Sequence, residues 1–440
     1  MILGSSQIDI TPQPGVELSG FAARTQPSTG VLDPLFARAL YLTEGEEKLL
    51  WIHCDLVGFE RAIVQEFRGW AQKALGLREA QVMLSATHTH SGACTIHLRE
   101  AGTYDPGYVE FLQGRLRESA KLALARTEPV DLVTVEGRLE LAVDRRKSAS
   151  AHTDPRVAAL GFRRADATFA GVIVNFPMHA VALGPANRCI SADVPGQVAL
   201  TLTRRLPGNP TVLVTNGACA NLNPPAENVP FAQIEAWGKE IADVVAPLLA
   251  KGRSVSCANL RVLARTVPLP VDSLDIAGIN AYAQKALTDA ASLAAWGDKY
   301  RRVVEHWRSS LISDNQAGGS TSHRDAELFI VGLGEVTLLG ANAEVFSEFT
   351  DWLRRHTRKR VYLIGYANGD IGYLPTRAAY AEGGYEVEVA HLFYGGFRPK
   401  AGGLELLATA ATDLLGELQA DLKAKGGVNG KRSAHQLSQS

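Results

Sequence analysis

Short apolar segments that end in polar residues limit the fold of this chain more than any other feature of its sequence. QVMLSATHTH at 81–90 and TVLVT at 211–215 are such segments, and continuous apolar runs of this length are typical of buried strands. Amphipathic helical patterns lie near 60–77, 108–126 and 231–251. This order of strands and helices predicts an α/β fold, a layered mixed β-sheet flanked by helices.

The predicted elements extend along most of the chain without an internal repeat. We expect a single domain over 1–425, with the helical segment 277–310 and the loop 313–327 as an excursion from it. The loop is small, polar and glycine-containing, which suits either an active-site flap or a solvated connector. Residues 426–440 are too polar to pack, and we expect a disordered tail there.

The composition excludes several classes of function. The formal net charge is −1, so the chain has no basic excess for binding nucleic acid. No stretch approaches the roughly 20 uninterrupted apolar residues of a membrane helix, and the N-terminus lacks the pattern of a signal peptide. We therefore expect a cytoplasmic protein without stable membrane anchoring, for which a homo-oligomer is compatible with the sequence.

The cysteines argue against two kinds of site. Five are present, scattered along the chain and never arranged as CxxC. An odd, dispersed set of this kind fits neither a disulfide framework nor a thiolate zinc site. We expect them to be reduced and mostly buried.

The segment SATHTHSG at 85–92 is the first candidate for chemistry. His88 and His90 are separated by one residue at the end of a predicted strand, and alternate side chains of a strand share a face. The two imidazoles can therefore point into one cavity, as metal ligands or as satisfied polar residues at a strand end.

Two further segments place polar residues after buried strands. FPMH at 176–179 carries His179, and Asp193 follows some way on; a lone histidine there is either structural or a ligand. The segment TNGACANLNPPAEN at 215–228 combines small and amide residues directly after a strand. Such a loop lets backbone amides approach a ligand, although turn formation explains it equally well.

Two late segments complete the set. Glu344 lies at the beginning of a helix predicted over 343–357, where a carboxylate either binds an ion or compensates the helix dipole. The segment 365–388 is rich in glycine and tyrosine, and such tyrosines usually pack and hydrogen-bond.

Taken in order, these segments resemble the N-terminal catalytic domain of the neutral/alkaline non-lysosomal ceramidases. The resemblance covers about residues 5–410 and rests on these pieces of sequence: DITPQPG, LFARALYL, SATHTHSG, FPMH followed by SADVPG, TNGACANLNP, the segment of Glu344, and NGDIGYLPT through GGYEV.

The resemblance implies one Zn²⁺ per chain, held by His88, His179, Glu344 and Tyr373. Two imidazoles, a carboxylate and a phenol suit this ion, and they leave a coordination position for water, as in catalytic sites.

Other family positions imply contacts with the substrate. His90 matches a histidine near the reacting carbonyl, and Tyr385 matches a tyrosine of the substrate pocket. Arg145 matches an arginine that meets the acyl carbonyl or the product carboxylate, and Arg146 aligns equally well. Asn223 stands where the ceramidases carry a serine, and we expect its amide to hydrogen-bond the substrate or the zinc-bound water.

The implied activity is zinc-dependent hydrolysis of an amide (N-acyl) bond by a metal-activated water. His90 is the expected proton donor to the leaving amine, while Asp193 is the alternative base or an orienting partner of a zinc histidine. The C-terminal β-sandwich of the long ceramidases has no matching segment here, so we expect a substrate other than ceramide. A zinc esterase or lactonase, or a non-catalytic binding protein on the same scaffold, are the alternatives.

Overall fold

A computed structural model gives the fold of the chain. It describes residues 1–146, 149–255, 259–318 and 322–436, with side chains described as far as residue 420. The strands are β1 Ile2–Asp9, β2 Gly30–Val31, β3 Phe36–Glu44, β4 Glu47–Cys54, β5 Val82–Ala86, β6 Thr127–Pro129, β7 Asp131–Arg138, β8 Val143–Asp144, β9 Arg156–Arg163, β10 Phe169–Phe176, β11 Cys189–Ile190, β12 Thr211–Asn216, β13 Leu222–Asn223, β14 Ser254–Val255, β15 Arg261–Pro270, β16 His323–Leu333, β17 Val336–Ala341, β18 Glu344–Val345, β19 Arg360–Ile364 and β20 Tyr373–Leu374. The helices are α1 Arg61–Leu75, α2 Pro106–Ala125, α3 Asp193–Arg205, α4 Phe231–Lys251, α5 Ile276–Ala286, α6 Ala290–Gln316, α7 Glu348–Thr357, α8 Arg377–Glu382, α9 Tyr385–Glu388, α10 Ala390–Tyr394 and α11 Gly403–Gln436.

Three sheets form the body of the molecule. Their strand orders are β5-β4-β3-β1-β6, β12-β10-β9-β7-β14 and β15-β16-β17-β19. Each sheet is mixed, because one pair of strands runs parallel: β4 with β5, β10 with β12, and β17 with β19. The short pairs β2–β11, β8–β13 and β18–β20 lie outside these sheets.

One apolar core joins the three sheets. It combines Trp51 and Met83 of the first sheet, Leu213 of the second, and Phe329 and Leu338 of the third, all of them buried. Since each sheet buries one face in this core, the sheets are held against one another.

Helices cover the outer faces of the sheets. On α4, residues Ile234, Trp237, Ile241, Val245 and Leu249 are buried at the spacing of one helical face, and they pack against the second sheet. Helices α1 and α2 cover the first sheet, and α7 and α11 the third. No helix in the described part of the chain combines the length and the apolar character needed to cross a membrane.

The predicted fold class is confirmed, since mixed sheets flanked by helices make up the molecule. Several boundaries differ from the prediction. The expected helix over 343–357 begins only at Glu348, and α6 reaches Gln316, which shortens the expected loop 313–327. Helix α11 runs to Gln436, past the expected start of the tail at 426, and residues 437–440 lie outside the described residues.

The packing of the sheets brings several strand ends together. His88 follows β5, His179 follows β10, Glu344 follows β17 and Tyr366 follows β19. The carboxyl ends of parallel strands share one edge of a sheet and are the usual place for a site in α/β folds. The side chain of Asn216 at the end of β12 ties two of these ends, because its amide donates to the carbonyl of Thr87 at 2.9 Å.

A buried carboxyl beside β11 gives the fold a dependence on pH. Asp33 accepts hydrogen bonds from the Ser191 hydroxyl and from the Ala192 amide. Burial raises the pKa of Asp33 to about 7, although these two hydrogen bonds oppose the shift. An acid with a raised pKa binds more protons when folded, so its contribution to stability falls as pH rises from about 4 to about 7.

We predict that Asp33→Asn stabilises the fold more at pH 8 than at pH 5, because the amide stays neutral where the wild-type carboxyl must ionise. The measurement is the free energy of unfolding from urea denaturation of both proteins at both pH values. Asp298→Asn is the control, since the side chain of Asp298 is 91% exposed. An equal effect of Asp33→Asn at the two pH values would contradict the prediction.

Candidate functional site

Three buried side chains from distant segments meet at the convergence of the strand ends. The ligand atoms of His88, His179 and Glu344 all lie within 4.8 Å of one another. Oε2 of Glu344 is 3.1 Å from Nε2 of His179 and 3.7 Å from Nε2 of His88. Each residue is at most 2% exposed, so the group forms a compact, water-poor set of donors.

Backbone carbonyls fix both imidazole rings. Nδ1 of His88 lies 2.6 Å from the carbonyl oxygen of Val57, and Nδ1 of His179 lies 2.7 Å from that of Cys219. Because a carbonyl only accepts hydrogen bonds, Nδ1 carries a proton in each ring, and Nε2 is the atom left for a metal. Without a metal, a second proton on Nε2 of His179 forms the hydrogen bond to Glu344. This is the arrangement by which proteins orient histidine ligands of metals.

The backbone that delivers these residues differs from the predicted one. His88 lies two residues beyond β5 with φ 58°, so the alternation of a strand does not set its direction. Glu344 lies on β18 rather than at the beginning of a helix, and it pairs with Tyr373 of β20 in parallel register. The interpretation of Glu344 as a helix-dipole partner is therefore wrong, because α7 begins four residues later.

The electrostatics of the group favour a cation. Burial opposes ionisation of Glu344, but the hydrogen bond from His179 and the two neighbouring imidazoles lower the pKa of the carboxyl to about 2. Burial likewise opposes charge on His179, yet Cys219 and Glu344 raise its pKa to about 10. A site that draws a proton in this way also attracts a metal ion, which takes the place of the proton. Two imidazoles and one carboxylate fit a divalent metal such as zinc.

Two tyrosines lie near this group in different ways. The Tyr366 hydroxyl is 3.3 Å from Nε2 of His179 and 3.5 Å from Oε2 of Glu344, and its ring stacks on that of His88 at 3.9 Å. The Tyr373 hydroxyl accepts a hydrogen bond from Arg145 at 3.1 Å. Sequence reasoning missed the contact of Tyr366, for which its place directly after β19 was the available signal.

A cavity of about 610 Å³ opens above the three residues. Most of the predicted site residues line it: His88, His90, Arg145, Asn223, Glu344, Tyr373 and Tyr385. His179 lies in the group beneath, bonded to Glu344. The structure thus brings together residues that are separated by up to about 300 positions in the chain.

Arg145 and Arg146 both line the cavity but have different partners. Arg145 donates to the Tyr373 hydroxyl, to Oδ1 of Asn223 at 3.5 Å and to Glu386 at 2.8 Å. Arg146 donates to the other oxygen of Glu386 at 2.7 Å. Burial alone would lower the pKa of Arg145, but Tyr373 and Glu386 hold it above its usual value. Of the two aligned arginines, Arg145 is the one in contact with other predicted site residues.

His90 faces the same cavity with free hydrogen-bonding capacity. Both of its ring nitrogens are buried and have no hydrogen-bond partner among the described residues, and its ring lies 4.9 Å from that of His88. Burial and the neighbouring cationic groups keep the pKa of His90 well below its usual value. The ring fits only because position 20 is glycine: φ there is 96°, and a Cβ atom would lie 2.4 Å from the imidazole.

Asn223 and Asp193 are both held by protein groups. Asn223 accepts from Arg145 and donates from Nδ2 to Glu227 at 2.8 Å. Asp193 is 1% exposed, and its carboxylate accepts from the backbone amides of Leu183 and Val194. Burial raises the pKa of Asp193 to about 6. Its contacts hold the loop that follows His179.

Two more residues support the site and were missed from the sequence. Asn221 is 1% exposed. Its side-chain oxygen accepts from the amide of Ser347, and its Nδ2 donates to the Ser347 hydroxyl and to Asp144, the latter at 2.8 Å. Its backbone carbonyl accepts from the amide of Arg145. The Tyr394 hydroxyl donates to Oε1 of Glu344 at 2.5 Å. Asn221 belongs to the segment TNGACANLNPPAEN, but only Asn223 of its amide residues was predicted to act at the site, and Tyr394 lies in no segment that points to chemistry.

The helices α9 and α10 supply one side of the site. They carry Tyr385 and Phe393 to the cavity wall, Glu386 to the arginines, and Tyr394 to Glu344. The segment is preceded by Gly384, whose φ of 100° is a conformation that other residues rarely adopt.

Comparisons with known proteins agree with this architecture. Residues 1–123 match the family model described as neutral/alkaline non-lysosomal ceramidase, N-terminal. The neutral ceramidase of Pseudomonas aeruginosa is 29% identical over 216 residues, which span 44% of this chain and 32% of that relative.

Solved structures share the fold. The crystal structure of the neutral ceramidase from Pseudomonas aeruginosa superposes with a TM-score of 0.71 at 19% identity, covering 94% of this chain and 74% of that one. A ceramidase complexed with C2 gives a TM-score of 0.74 at 18% identity, with 96% and 75% covered. The N-terminal part of the chain thus matches the neutral/alkaline non-lysosomal ceramidase family, and nearly the whole chain has the fold of the solved ceramidases.

Proposed function

We propose that this chain is a zinc-dependent hydrolase that cleaves an amide (N-acyl) bond in a small molecule. The observation that carries the proposal is the meeting of His88, His179 and Glu344 on the floor of a cavity that is also lined by Arg145 and His90. The similarity to the neutral ceramidases supports an amide as the scissile bond. The cytoplasmic location, the absence of a nucleic-acid partner and a homo-oligomer stay predictions.

The proposed metal is one zinc ion per chain. Nε2 of His88, Nε2 of His179 and a carboxylate oxygen of Glu344 would hold it, with the Tyr373 hydroxyl as the proposed fourth ligand. When bound, zinc would supply the Lewis acid that polarises the scissile carbonyl and lowers the pKa of water.

The remaining residues have proposed roles in binding and proton transfer. The guanidinium of Arg145 binds the acyl carbonyl and afterwards the product carboxylate, for which its planar donors are suited. The Tyr385 hydroxyl donates a hydrogen bond to the oxygen that gains negative charge in the tetrahedral intermediate. His90 accepts a proton from the attacking water and delivers it to the leaving amine, since its ring lines the cavity and its nitrogens have no partner among the described residues.

Asn223 and Asp193 receive positioning roles. The amide of Asn223 fixes Arg145 relative to the pocket through their hydrogen bond, and its remaining acceptor capacity lies beside the substrate. Asp193 orients the loop of His179 through backbone amides, which supports its orienting role over that of a general base.

The lining of the cavity supports a substrate other than ceramide. Four glutamates and two arginines share the cavity with its apolar groups: Glu227, Glu344, Glu382, Glu386, Arg145 and Arg146. Burying a long alkyl chain against these charges would cost their hydration. A compact acyl amide avoids that cost.

The first test concerns the metal. We predict that His179→Ala and Glu344→Gln each reduce bound zinc from about one ion per chain to nearly none, because each variant removes one of three closely spaced ligands. Elemental analysis after dialysis against trace zinc measures this. His356→Ala is the control, since His356 lies on the exposed surface of α7. Full zinc content in both site variants would contradict the ligand assignment.

A second test separates the two tyrosines of the cavity. Tyr373→Phe is expected to raise the zinc dissociation constant at least about tenfold, by analogy with the loss of groups that support a metal. Tyr385→Phe is expected to keep zinc affinity within about twofold and to lower kcat about a hundredfold, because it removes a donor to the intermediate. Normal zinc binding by Tyr373→Phe would contradict the assignment of Tyr373 as the fourth ligand. Tyr366→Phe would then be the variant to measure, since the Tyr366 hydroxyl is 3.3 Å from Nε2 of His179.

Matched substrates test the bond that is cleaved. We predict that the zinc-loaded protein hydrolyses short N-acyl alkylamines and that Glu344→Gln does not, measured as amine release by chromatography. Hydrolysis of the corresponding esters and lactones alone would favour the esterase alternative. Retained zinc with no turnover of either panel would favour a binding protein.

A further inference from the structure

The charges of the cavity are mostly paired within the protein. Glu386 bridges the two arginines, accepting from Arg145 at 2.8 Å and from Arg146 at 2.7 Å. Arg146 also lies 3.4 Å from Glu382. Beyond the three-residue floor, two arginines thus face two carboxylates, and these four charges compensate one another.

Glu227 is a further carboxylate at the exposed mouth of this cavity. It accepts a hydrogen bond from Nδ2 of Asn223 at 2.8 Å, and within the described ranges of the chain no arginine, lysine or histidine forms an ion pair with it. A carboxylate that no cation of the protein neutralises can form an ion pair with a positively charged ligand.

Asn223 places this charge relative to the reacting bond. Its Oδ1 accepts from Arg145 and its Nδ2 donates to Glu227, so one amide links the cation that faces the acyl side with the carboxylate that faces solvent. Oδ1 has no hydrogen to donate to a carboxylate, so Nδ2 must be the atom that faces Glu227. The two contacts therefore define the orientation of the amide. Asn223 therefore links the acidic group to Arg145, the arginine proposed to bind the acyl carbonyl.

The cavity also has an apolar wall. Phe21, Leu98, Val181, Trp296 and Phe393 line it, and the ring of Trp296 packs edge-to-face on that of Phe393 at 5.4 Å. This wall suits the acyl half of an amide, which leaves the acidic mouth for the amine half.

We propose that Glu227 is a specificity-determining residue that selects N-acyl amides whose amine half carries a second, positively charged amino group. The proposal rests on the function proposed above. Hydrolysis of such an amide consumes one water: the carbon–nitrogen bond breaks, the hydroxyl joins the acyl carbon, and the other hydrogen of the water goes to the nitrogen, which leaves as an amine. The carboxylic acid then loses its proton and the amine gains one, so the products are a carboxylate and an ammonium. Both charges of the released diamine then face the acidic mouth.

An isosteric pair of substrates tests this selection. N-hexanoyl-1,4-diaminobutane and N-hexanoylpentylamine differ only in an ammonium group that replaces a methyl group. We expect the zinc-loaded wild type to show a kcat/KM about tenfold higher for the cationic compound, as one partly exposed ion pair permits. In Glu227→Gln, which keeps the hydrogen-bond acceptor for Asn223 and removes the charge, the ratio should fall to about one. Added salt should lower the wild-type ratio.

Glu235→Gln is the matched control, because Glu235 lies exposed on α4 and does not line the cavity; its ratio should equal that of the wild type. If both compounds turn over but the ratio is near one in the wild type, or is unchanged in Glu227→Gln, charge selection by Glu227 is overturned while the hydrolase proposal stands. If neither compound turns over, dissociation constants from calorimetry decide: a cationic preference that Glu227→Gln abolishes supports the selection, and equal binding overturns it.

Discussion

Apolar contact between three sheets is the interaction on which the rest of this structure depends. A single core takes side chains from all of them, and the parallel pair in each sheet ends at the same side of that core. His88, His179 and Glu344 each follow a strand of a different sheet, so no sheet alone could assemble the group. The candidate metal site is a product of tertiary packing, and its geometry depends on the close packing of the core beneath it.

Hydrogen bonds to the backbone hold the side chains of the site in place relative to the strands. Carbonyls fix the two imidazoles, and Asn221 joins the segments that hold Arg145 and Glu344 by bonding to Asp144 and Ser347. These buried polar groups are satisfied by one another, which makes the network stable in a low-dielectric interior. The imidazole of His90, which has no hydrogen-bond partner among the described residues, belongs to the lining of the cavity.

Local patterns in the sequence were sufficient for the fold class and for most helices and strands, because buried strands and amphipathic helices leave continuous or periodic apolar runs. The resemblance to the family then gathered residues that the structure indeed places around one cavity. Contacts between distant segments were not accessible in this way. Glu344 lies on a strand because it pairs with Tyr373, the contact of Tyr366 with His179 depends on how β19 packs, and the environment of Asp193 depends on the amide of Leu183. None of these partners is near in sequence or marked by a motif.

The short helices α9 and α10 link the shape of the cavity to the surroundings of Glu344. Within ten positions they supply the cavity wall through Tyr385 and Phe393, the bridge between the arginines through Glu386, and a hydrogen bond to the candidate metal ligand through Tyr394. A displacement of this segment would change the pocket shape and the metal environment together. Selection for a new substrate is therefore constrained at this segment, because a change that reshapes the pocket also disturbs the surroundings of Glu344.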